Sequence, residues 1–284
     1  MRAPGEPEIS IVIPVYNEEE NLPVLAEEIR AAMAPVEASG RLYEVVLVDD
    51  GSTDTSPAVM ARLAREDQHI RVVRQRRNSG QSAALDAGVR HARGEIVVTL
   101  DADLQNDPAD IPRLLEGLER LDGFDVVSGV RAKRRDTWVR RVSSKIANGI
   151  RNRVTHESVT DVGCTLRAMR IEYLRRIPVF NGMHRFLPTL LRMEGARVTE
   201  IPVNHRPRLH GQPKYNIRNR IFRALADLFG VRWMQTRWVD RDLAEEVDVW
   251  NTTPSGSPSG SSDRPSSSDA SSSSGSPPSA RSKA

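Results

Sequence analysis

The sequence predicts an α/β fold: a doubly wound, mainly parallel sheet flanked by helices. Three observations carry that expectation. Short apolar runs recur along the N-terminal part of the chain, each the length of a strand. Polar or acidic turns and then helical stretches follow them, so strand and helix alternate as they do in βαβ units with right-handed crossovers. The run Glu95–Leu100, which follows Gly94, is β-branched and almost wholly apolar, as a strand covered on both faces must be.

In chain order, the first strand is Ile9–Pro14, followed by the turn Val15–Glu20 and a helix to about Met33. The second strand, Tyr43–Val48, ends in Asp49-Asp50-Gly51-Ser52-Thr53-Asp54. Ile70–Val73 is a third strand, after which Asn78-Ser79-Gly80-Gln81 opens a helix over Ser82–His91. Glu95–Leu100 is the fourth strand, and it runs into Asp101-Ala102-Asp103-Leu104-Gln105. The first turn lacks Gly-x-Gly-x-x-Gly, so no dinucleotide-binding fingerprint is present. A fifth strand, Asp125–Gly129, leads to Arg131 and a basic run containing Lys133, Arg134, Arg135, Arg140, Arg141 and Lys145.

The second half continues with a basic amphipathic helix over Trp138–Val154 and a strand-like element over Asp161–Arg167, in which Asp161 and Arg167 are expected to pair. Short helices over Ile171–Ile177 and Phe186–Glu194 and a strand over Arg197–Asn204 follow. His205–Tyr215 is a cation-rich loop. From Ile217 onward Ile217, Ile221, Leu225, Leu228 and Phe229 fall on one stripe, with Trp233, Trp238, Arg232 and Arg237 behind them, which is the pattern of an interfacial helix. The expected organisation is one domain over 1–240, with the basic amphipathic helix at 217–239. A tail over 241–284 is so rich in Ser, Pro and Gly that it cannot bury enough apolar area to offset chain entropy.

The whole chain of 284 residues has a net charge of +3 and a pI near 9.3, which suit an anionic ligand or surface. The lack of stacking aromatics interleaved with the basic run argues against nucleic acid. The single cysteine, Cys164, excludes an intrachain disulfide and reads as a small buried residue. No stretch supplies the roughly 18 consecutive apolar residues of a membrane span, and no signal-peptide core is visible. A cytoplasmic protein, peripheral at the inner face of a membrane, is the expectation.

The acidic turn after the fourth strand carries the chemistry. Strand ends of this kind border the crevice in which open α/β sheets collect ligands. Asp101, Asp103 and Gln105 alternate along what reads as an extended turn, so their oxygens can converge as hard ligands for Mg²⁺ or Mn²⁺. Such an ion would neutralise the diphosphate of a nucleotide-sugar.

Pro14-Val15-Tyr16-Asn17-Glu18, Val48-Asp49-Asp50-Gly51-Ser52, Asn78-Ser79-Gly80 and Asp101-Ala102-Asp103-Leu104-Gln105, in this order, resemble family 2 glycosyltransferases of the GT-A fold. More narrowly, they look like the dolichol- and polyprenyl-phosphate sugar synthases. The resemblance covers roughly residues 8–235. It implies that Pro14, Tyr16 and Glu18 line the nucleotide pocket, that Val48 and Asp50 close on base and ribose, and that Ala102 belongs to the same donor site. It also makes Asp101, Asp103 and Arg131 the catalytic set, with Arg131 on a donor or acceptor phosphate, and puts Arg208 and Lys214 on the diphosphate. Members usually carry Ser where this chain has Pro213, which removes a backbone donor beside Lys214.

Many family 2 enzymes that act on a neutral hydroxyl have a Glu-Asp pair in the second half, its Asp serving as general base. No such pair is found here before the tail. A lipid phosphate needs none, because it is already anionic at neutral pH. The expected activity is therefore inverting transfer from a nucleotide-diphosphate-sugar to an undecaprenyl- or dolichyl-type polyprenyl phosphate, as in cell-envelope glycan or lipopolysaccharide assembly. Either the basic helix at the membrane surface or a separate membrane protein would keep the enzyme near its lipid. The alternative is a soluble enzyme acting on a saccharide or protein hydroxyl.

Overall fold

The computed structural model describes residues 5–120, 123–131, 149–155, 159–207 and 217–239, with side chains throughout except at 217–223. Strands β1 (Ile9–Val15), β2 (Tyr43–Asp49), β3 (Ile70–Arg74), β4 (Ile96–Thr99), β5 (Val126–Arg131), β6 (Arg167–Arg170) and β7 (Val198–Val203) form a seven-stranded sheet in the order β3-β2-β1-β4-β6-β5-β7. Helices α1 (Leu22–Ala38), α2 (Ser56–Glu66) and α3 (Gln81–His91) are the crossovers of the first half, and α4 (Ile111–Arg120) leads into β5.

The buried run of every residue in β2 and β4 explains why the sheet can be covered on both faces. Alternation along β1 splits its side chains: Ile9, Ile11 and Ile13 join Leu25, Ile29 and Leu114 on one face, while Val12 joins Leu85, Val89 and Leu190 on the other. On that second face α3 sits unusually close. A Cβ at Gly88 would lie 2.2 Å from Val12 Cγ1 and 3.1 Å from Val48 Cγ2, so the absence of a side chain is what seats the helix.

β1, β2, β3 and β4 run parallel, and β6 is antiparallel to both β4 and β5. Strand order reverses direction from β1, with β2 on one side and β4 on the other, which puts the topological switch point at the carboxyl ends of β1 and β4. Because β6 is reversed, its amino end, Arg167, arrives at that same edge, cross-strand from Thr99 of β4 and Ser128 of β5.

Several boundaries differ from the sequence reading. The element expected over Asp161–Arg167 is a strand only from Arg167 to Arg170, because Asp161 turns back to accept from the Gly163 amide and from Arg131. The helix expected over Ile171–Ile177 spans Ile171–Leu174, that over Phe186–Glu194 spans Leu187–Met193, and the last helix spans Ile217–Thr236. Its expected stripe is divided. Leu228 and Val231 are buried in the core, while Leu225, Phe229 and Trp233 point outward one turn apart.

Of the helix expected over Trp138–Val154, residues 149–155 are described and helical. Arg208, Lys214 and the tail over 241–284 lie outside the described residues. No helix among the described residues is long and apolar enough to cross a membrane.

Candidate active site

The turns that follow the parallel strands are tied to one another around the switch point. Asn17, at φ 53° after β1, shares hydrogen bonds with the β2 turn: its amide donates to Ser52 Oγ at 3.1 Å, and its Oδ1 accepts from the Thr53 amide at 2.8 Å. The Glu18 amide donates to Ser56 Oγ at 2.9 Å, and the Glu18 carboxylate accepts from Asn21 Nδ2 at 2.6 Å. The β2 turn is in turn joined to α3. Asp50 accepts from the amides of Ser79 at 2.8 Å and Gly80 at 2.9 Å, so its carboxylate binds the entry to that helix.

Burial pushes the Asp50 carboxyl up, against the pull of those two amides, and neighbouring Asp49 adds to the rise. Gly51, at φ +70°, lets the β2 turn pass close to Asn78, whose nitrogen would lie 2.5 Å from an added Cβ. The last link is Gln81, whose Nε2 donates to the Asp101 carboxylate at 2.7 Å.

The acidic turn itself is tight rather than extended. Leu104 is left-handed at φ 58° with its side chain buried, and Asp103 Oδ1 accepts from the Gln105 amide two residues on at 3.2 Å. A bulky residue at positive φ is a strained choice that the surroundings must hold in place. Here the buried Leu104 side chain does so, and the Gln105 carbonyl accepts from the Arg206 amide at 2.8 Å. Arg206 is further bound by Glu28 at 2.6 Å and Asp107 at 2.7 Å, which ties the segment after β7 to the turn.

Asp101 and Asp103 supply hard oxygens. Among the described residues no group of three or more His, Cys, Asp or Glu side chains could hold a metal ion unaided. Two carboxylates on a strand end suit an ion that is completed by substrate phosphates, as Mg²⁺ often is.

Other expected site residues are distributed unevenly. Pro14 and Asp101 line one small cavity together with Gln81, Thr99, Thr165, Arg167 and His184; its volume is about 10 Å³. Tyr16 and Glu18 are half-buried on the β1 turn. Val48 and Ala102 are buried, Val48 on the α3 face and Ala102 on the opposite face, so their side chains pack in the core.

Arg131, at the end of β5, is locked bidentately onto Asp161, with Nε to Oδ2 at 2.6 Å and Nη2 to Oδ1 at 2.7 Å. Its guanidinium also lies over Gly163, where an added Cβ would be 2.6 Å from Nη2. The expected pair of Asp161 with Arg167 is thus replaced by Asp161 with Arg131.

Arg167 is the residue sequence reasoning left out of the site. It is 1% exposed. Its three contacts are all to neutral oxygens: Ser128 Oγ at 3.2 Å, the Val162 carbonyl at 3.2 Å and the His184 carbonyl at 3.5 Å. Burial pulls its pKa down, while Cys164, Asp161 and Asp101 oppose that at longer range.

His184 was missed as well. Its Nδ1 meets Ser82 Oγ at 2.8 Å, and the same hydroxyl accepts from the Gly182 amide at 2.9 Å. A polar residue directly after Asn-Ser-Gly was the available signal for Gln81. For Arg167 there was none, because its place at the site depends on the reversal of β6. Cys164 is buried as expected, and burial pushes its thiol up, away from reactivity.

Comparison with known proteins gives concordant results. Over 210 residues the chain is 41% identical to an undecaprenyl-phosphate 4-deoxy-4-formamido-L-arabinose transferase of Edwardsiella ictaluri, covering 74% of this chain and 63% of that one. Identity to the enzyme of the same description from Salmonella enteritidis PT4 is 43% over 209 residues, 73% of this chain and 62% of that one. The chain therefore spans less than two thirds of the length of these curated relatives.

Among solved structures, glucosyl-3-phosphoglycerate synthase of Mycobacterium tuberculosis, in complex with Mn²⁺, UDP and glucosyl-3-phosphoglycerate, superimposes with a TM-score of 0.60 at 19% identity, covering 84% of this chain and 82% of that one. Its complex with Mg²⁺ and UDP matches with a TM-score of 0.61 at 19% identity and the same coverage. The mostly parallel sheet and helical flanks seen here are those of the GT-A fold. Residues 10–178, from β1 through the acidic turn to the antiparallel β6 and the short helix after it, match the family model described as glycosyl transferase family 2, and the chain belongs to that family.

Proposed function

We propose that the protein transfers a sugar, with inversion, from a nucleotide-diphosphate-sugar to a polyprenyl phosphate of the undecaprenyl type at the cytoplasmic membrane face. The observation that carries this reading is the composition of the crevice wall. Asp101 is the sole carboxylate among its described lining residues, and the other polar groups there are Gln81, Thr99, Thr165, Arg167 and His184. A phosphate monoester brings its own negative oxygen, and the guanidinium among those residues, Arg167, suits such an anion. The 41–43% identity to transferases described as acting on undecaprenyl phosphate points the same way.

Asp101 and Asp103, with Gln105 beside them, would hold Mg²⁺ or Mn²⁺. Once bound, such an ion offsets the charge of the leaving diphosphate. Gln81 orients the Asp101 carboxylate at 2.7 Å, and Asp50 fixes the α3 entry from which Gln81 projects. Pro14, Tyr16, Glu18, the backbone of Val48, and Ala102 would frame the nucleotide, with Arg208 and Lys214 closing over the diphosphate. Arg131 shapes the acceptor side through its pairing with Asp161.

The outward stripe of Leu225, Phe229 and Trp233 on the last helix, two of them 64% exposed, with Arg232 and Arg237 close in sequence, would rest on anionic lipid. A separate membrane protein is the other means of bringing the lipid within reach.

The deciding experiment is a transfer assay with purified protein, Mg²⁺ or Mn²⁺, a panel of labelled UDP- and GDP-sugars and undecaprenyl phosphate, with Asp103→Ala alongside. Metal-dependent label in the lipid phase, absent with the variant, is the expected result. Label on a water-soluble hydroxyl acceptor but none in lipid would overturn the acceptor assignment. For the membrane contact, flotation with phosphatidylglycerol vesicles should be lost on Phe229→Asp with Trp233→Asp, and equal flotation would remove that helix from the lipid surface.

A further inference from the structure

We propose that Arg167 is a phosphate-binding residue of the reaction centre, its guanidinium receiving one phosphate oxygen in the cavity it shares with Asp101, Gln81 and His184. This rests on the glycosyl transfer between phosphate-bearing substrates proposed above, but its evidence is independent of the relatives.

A guanidinium as buried as this one is ordinarily paired with a carboxylate, because taking an isolated charge out of water is expensive. Arg167 is the largest side chain in the protein at or below 2% exposure among the described residues, and it has no carboxylate at hydrogen-bonding distance there. Its contacts of 3.2–3.5 Å are long beside the roughly 2.7–2.9 Å of charge-assisted bonds. Asp161, which acts on it through space, is already engaged bidentately by Arg131. Asp101 also acts on it through space, and that carboxylate would be neutralised by a divalent ion.

The loaded site therefore leaves a buried cation in need of an anion. The cavity offers the place. Its volume of about 10 Å³ is room for a single oxygen-sized group. The surroundings are built to hold Arg167 still. Thr99 Oγ1 donates to the Thr165 carbonyl at 2.7 Å, Ser128 meets Arg167 Nε, and His184, its ring anchored by Ser82, lines the cavity and supplies a carbonyl to the guanidinium. Arg131, at the end of β5, has both fork nitrogens on Asp161, so the less exposed arginine is the one turned to the ligand.

The phosphate can come from the acceptor or from the donor diphosphate, and binding ratios separate the two. Affinities are measured by calorimetry for farnesyl phosphate against farnesol, and for UDP with Mn²⁺ against uridine, with wild type, Arg167→Met and Arg167→Lys. Wild type should prefer each phosphorylated ligand. In Arg167→Met the preference should fall by roughly ten- to a hundredfold for one pair and stay for the other, as expected for loss of a charge-assisted bond. A fall for farnesyl phosphate assigns Arg167 to the acceptor, and a fall for UDP assigns it to the donor.

A purely structural arginine would weaken phosphorylated and unphosphorylated ligands alike, so unchanged ratios in folded Arg167→Met overturn the proposal. If that variant does not fold, Arg167→Lys decides, because it keeps the charge and loses the fork. A ratio lowered severalfold supports the proposal and an unchanged one overturns it. Should wild type itself not distinguish farnesyl phosphate from farnesol, the lipid-phosphate acceptor falls, and Arg167 is judged on the UDP and uridine pair alone.

Discussion

The two halves of the crevice rim are built on different principles. On the side of β1 to β4, each turn is held by its neighbour through side-chain hydrogen bonds: Asn17 to the Thr53 amide, Asp50 to the Ser79 and Gly80 amides, and the neutral Gln81 side chain to the Asp101 carboxylate. On the side of β5 to β7, the framework is charge: Arg131 on Asp161, Arg206 on Glu28 and Asp107, Arg185 on Asp227. Turns of the first kind hold their carboxylates mainly through neutral amide donors, as Gln81 holds Asp101 and the Gln105 amide holds Asp103. On the second side the arginines just named are paired with carboxylates, and Arg167, whose contacts are to neutral oxygens, is the cation suited to a phosphate. Under the proposed reaction, the donor would sit against the β1–β4 rim and the acceptor against the β5–β7 rim.

The largest expected effect lies on the β1–β4 side. Asp103→Ala should lower metal-dependent transfer by about two orders of magnitude or more while the thermal melt stays within a few degrees, since losing a preorganised charge-stabilising group typically costs that much. A melt that collapses along with activity would mean that the turn is held by Asp103 rather than serving it.

On the β5–β7 side, Asp161→Ala strands the half-buried Arg131 guanidinium and should destabilise the fold by roughly 2–3 kcal/mol in chemical denaturation, somewhat less than for a fully buried pair. If stability is kept and only acceptor affinity changes, Arg131 is freer than its bidentate pairing indicates, and the contrast between the two rims weakens.

The seat of α3 offers a finer test. Gly88→Ala drives a methyl into Val12 and should cost about 1–3 kcal/mol by overpacking, and it should raise the KM for donor more than that for acceptor, because Gln81 and the Asp50-bound turn ride on that helix.

The smallest effect is far from both rims. Tyr43 stacks on His69 with ring centroids 4.3 Å apart, and burial pushes its phenol up to about 12. A raised pKa favours the protonated form in the fold, so its contribution is complete below the unfolded value near 10 and is lost as pH rises toward about 12. Tyr43→Phe should flatten that part of an alkaline stability profile, measured by denaturant melts at successive pH. An unaltered slope would show that the phenol is not the group titrating there.

Much of the β1–β4 rim was legible before any coordinates. A parallel strand followed by a polar turn has few ways to be placed, so the runs Ile9–Pro14, Tyr43–Val48 and Glu95–Leu100 located the turns carrying Asn17, Asp50 and Asp101 at one edge. The closed form of the acidic turn was not legible, because alternation of Asp101, Asp103 and Gln105 is equally compatible with an extended chain. Only the left-handed Leu104 and the Asp103 to Gln105 bond decided between them. The division of the last helix was hidden for a related reason. Leu228 and Phe229 are both apolar and consecutive in sequence, about 100° apart around the helix, and which of them meets the core depends on where the helix docks.

What the sequence by itself determined is the local and periodic: strands that must be covered on both faces, turns that cap the helices after them, and a family whose motifs lie in order along the chain. What only the tertiary structure decided is the pairing of charges distant in sequence. Asp161 chose Arg131 over Arg167 because β6 runs against its neighbours, which delivers Arg167 to the crevice from the amino end of a strand rather than the carboxyl end. Strand direction is set by long-range hydrogen bonding and packing, and no local pattern of residues encodes it.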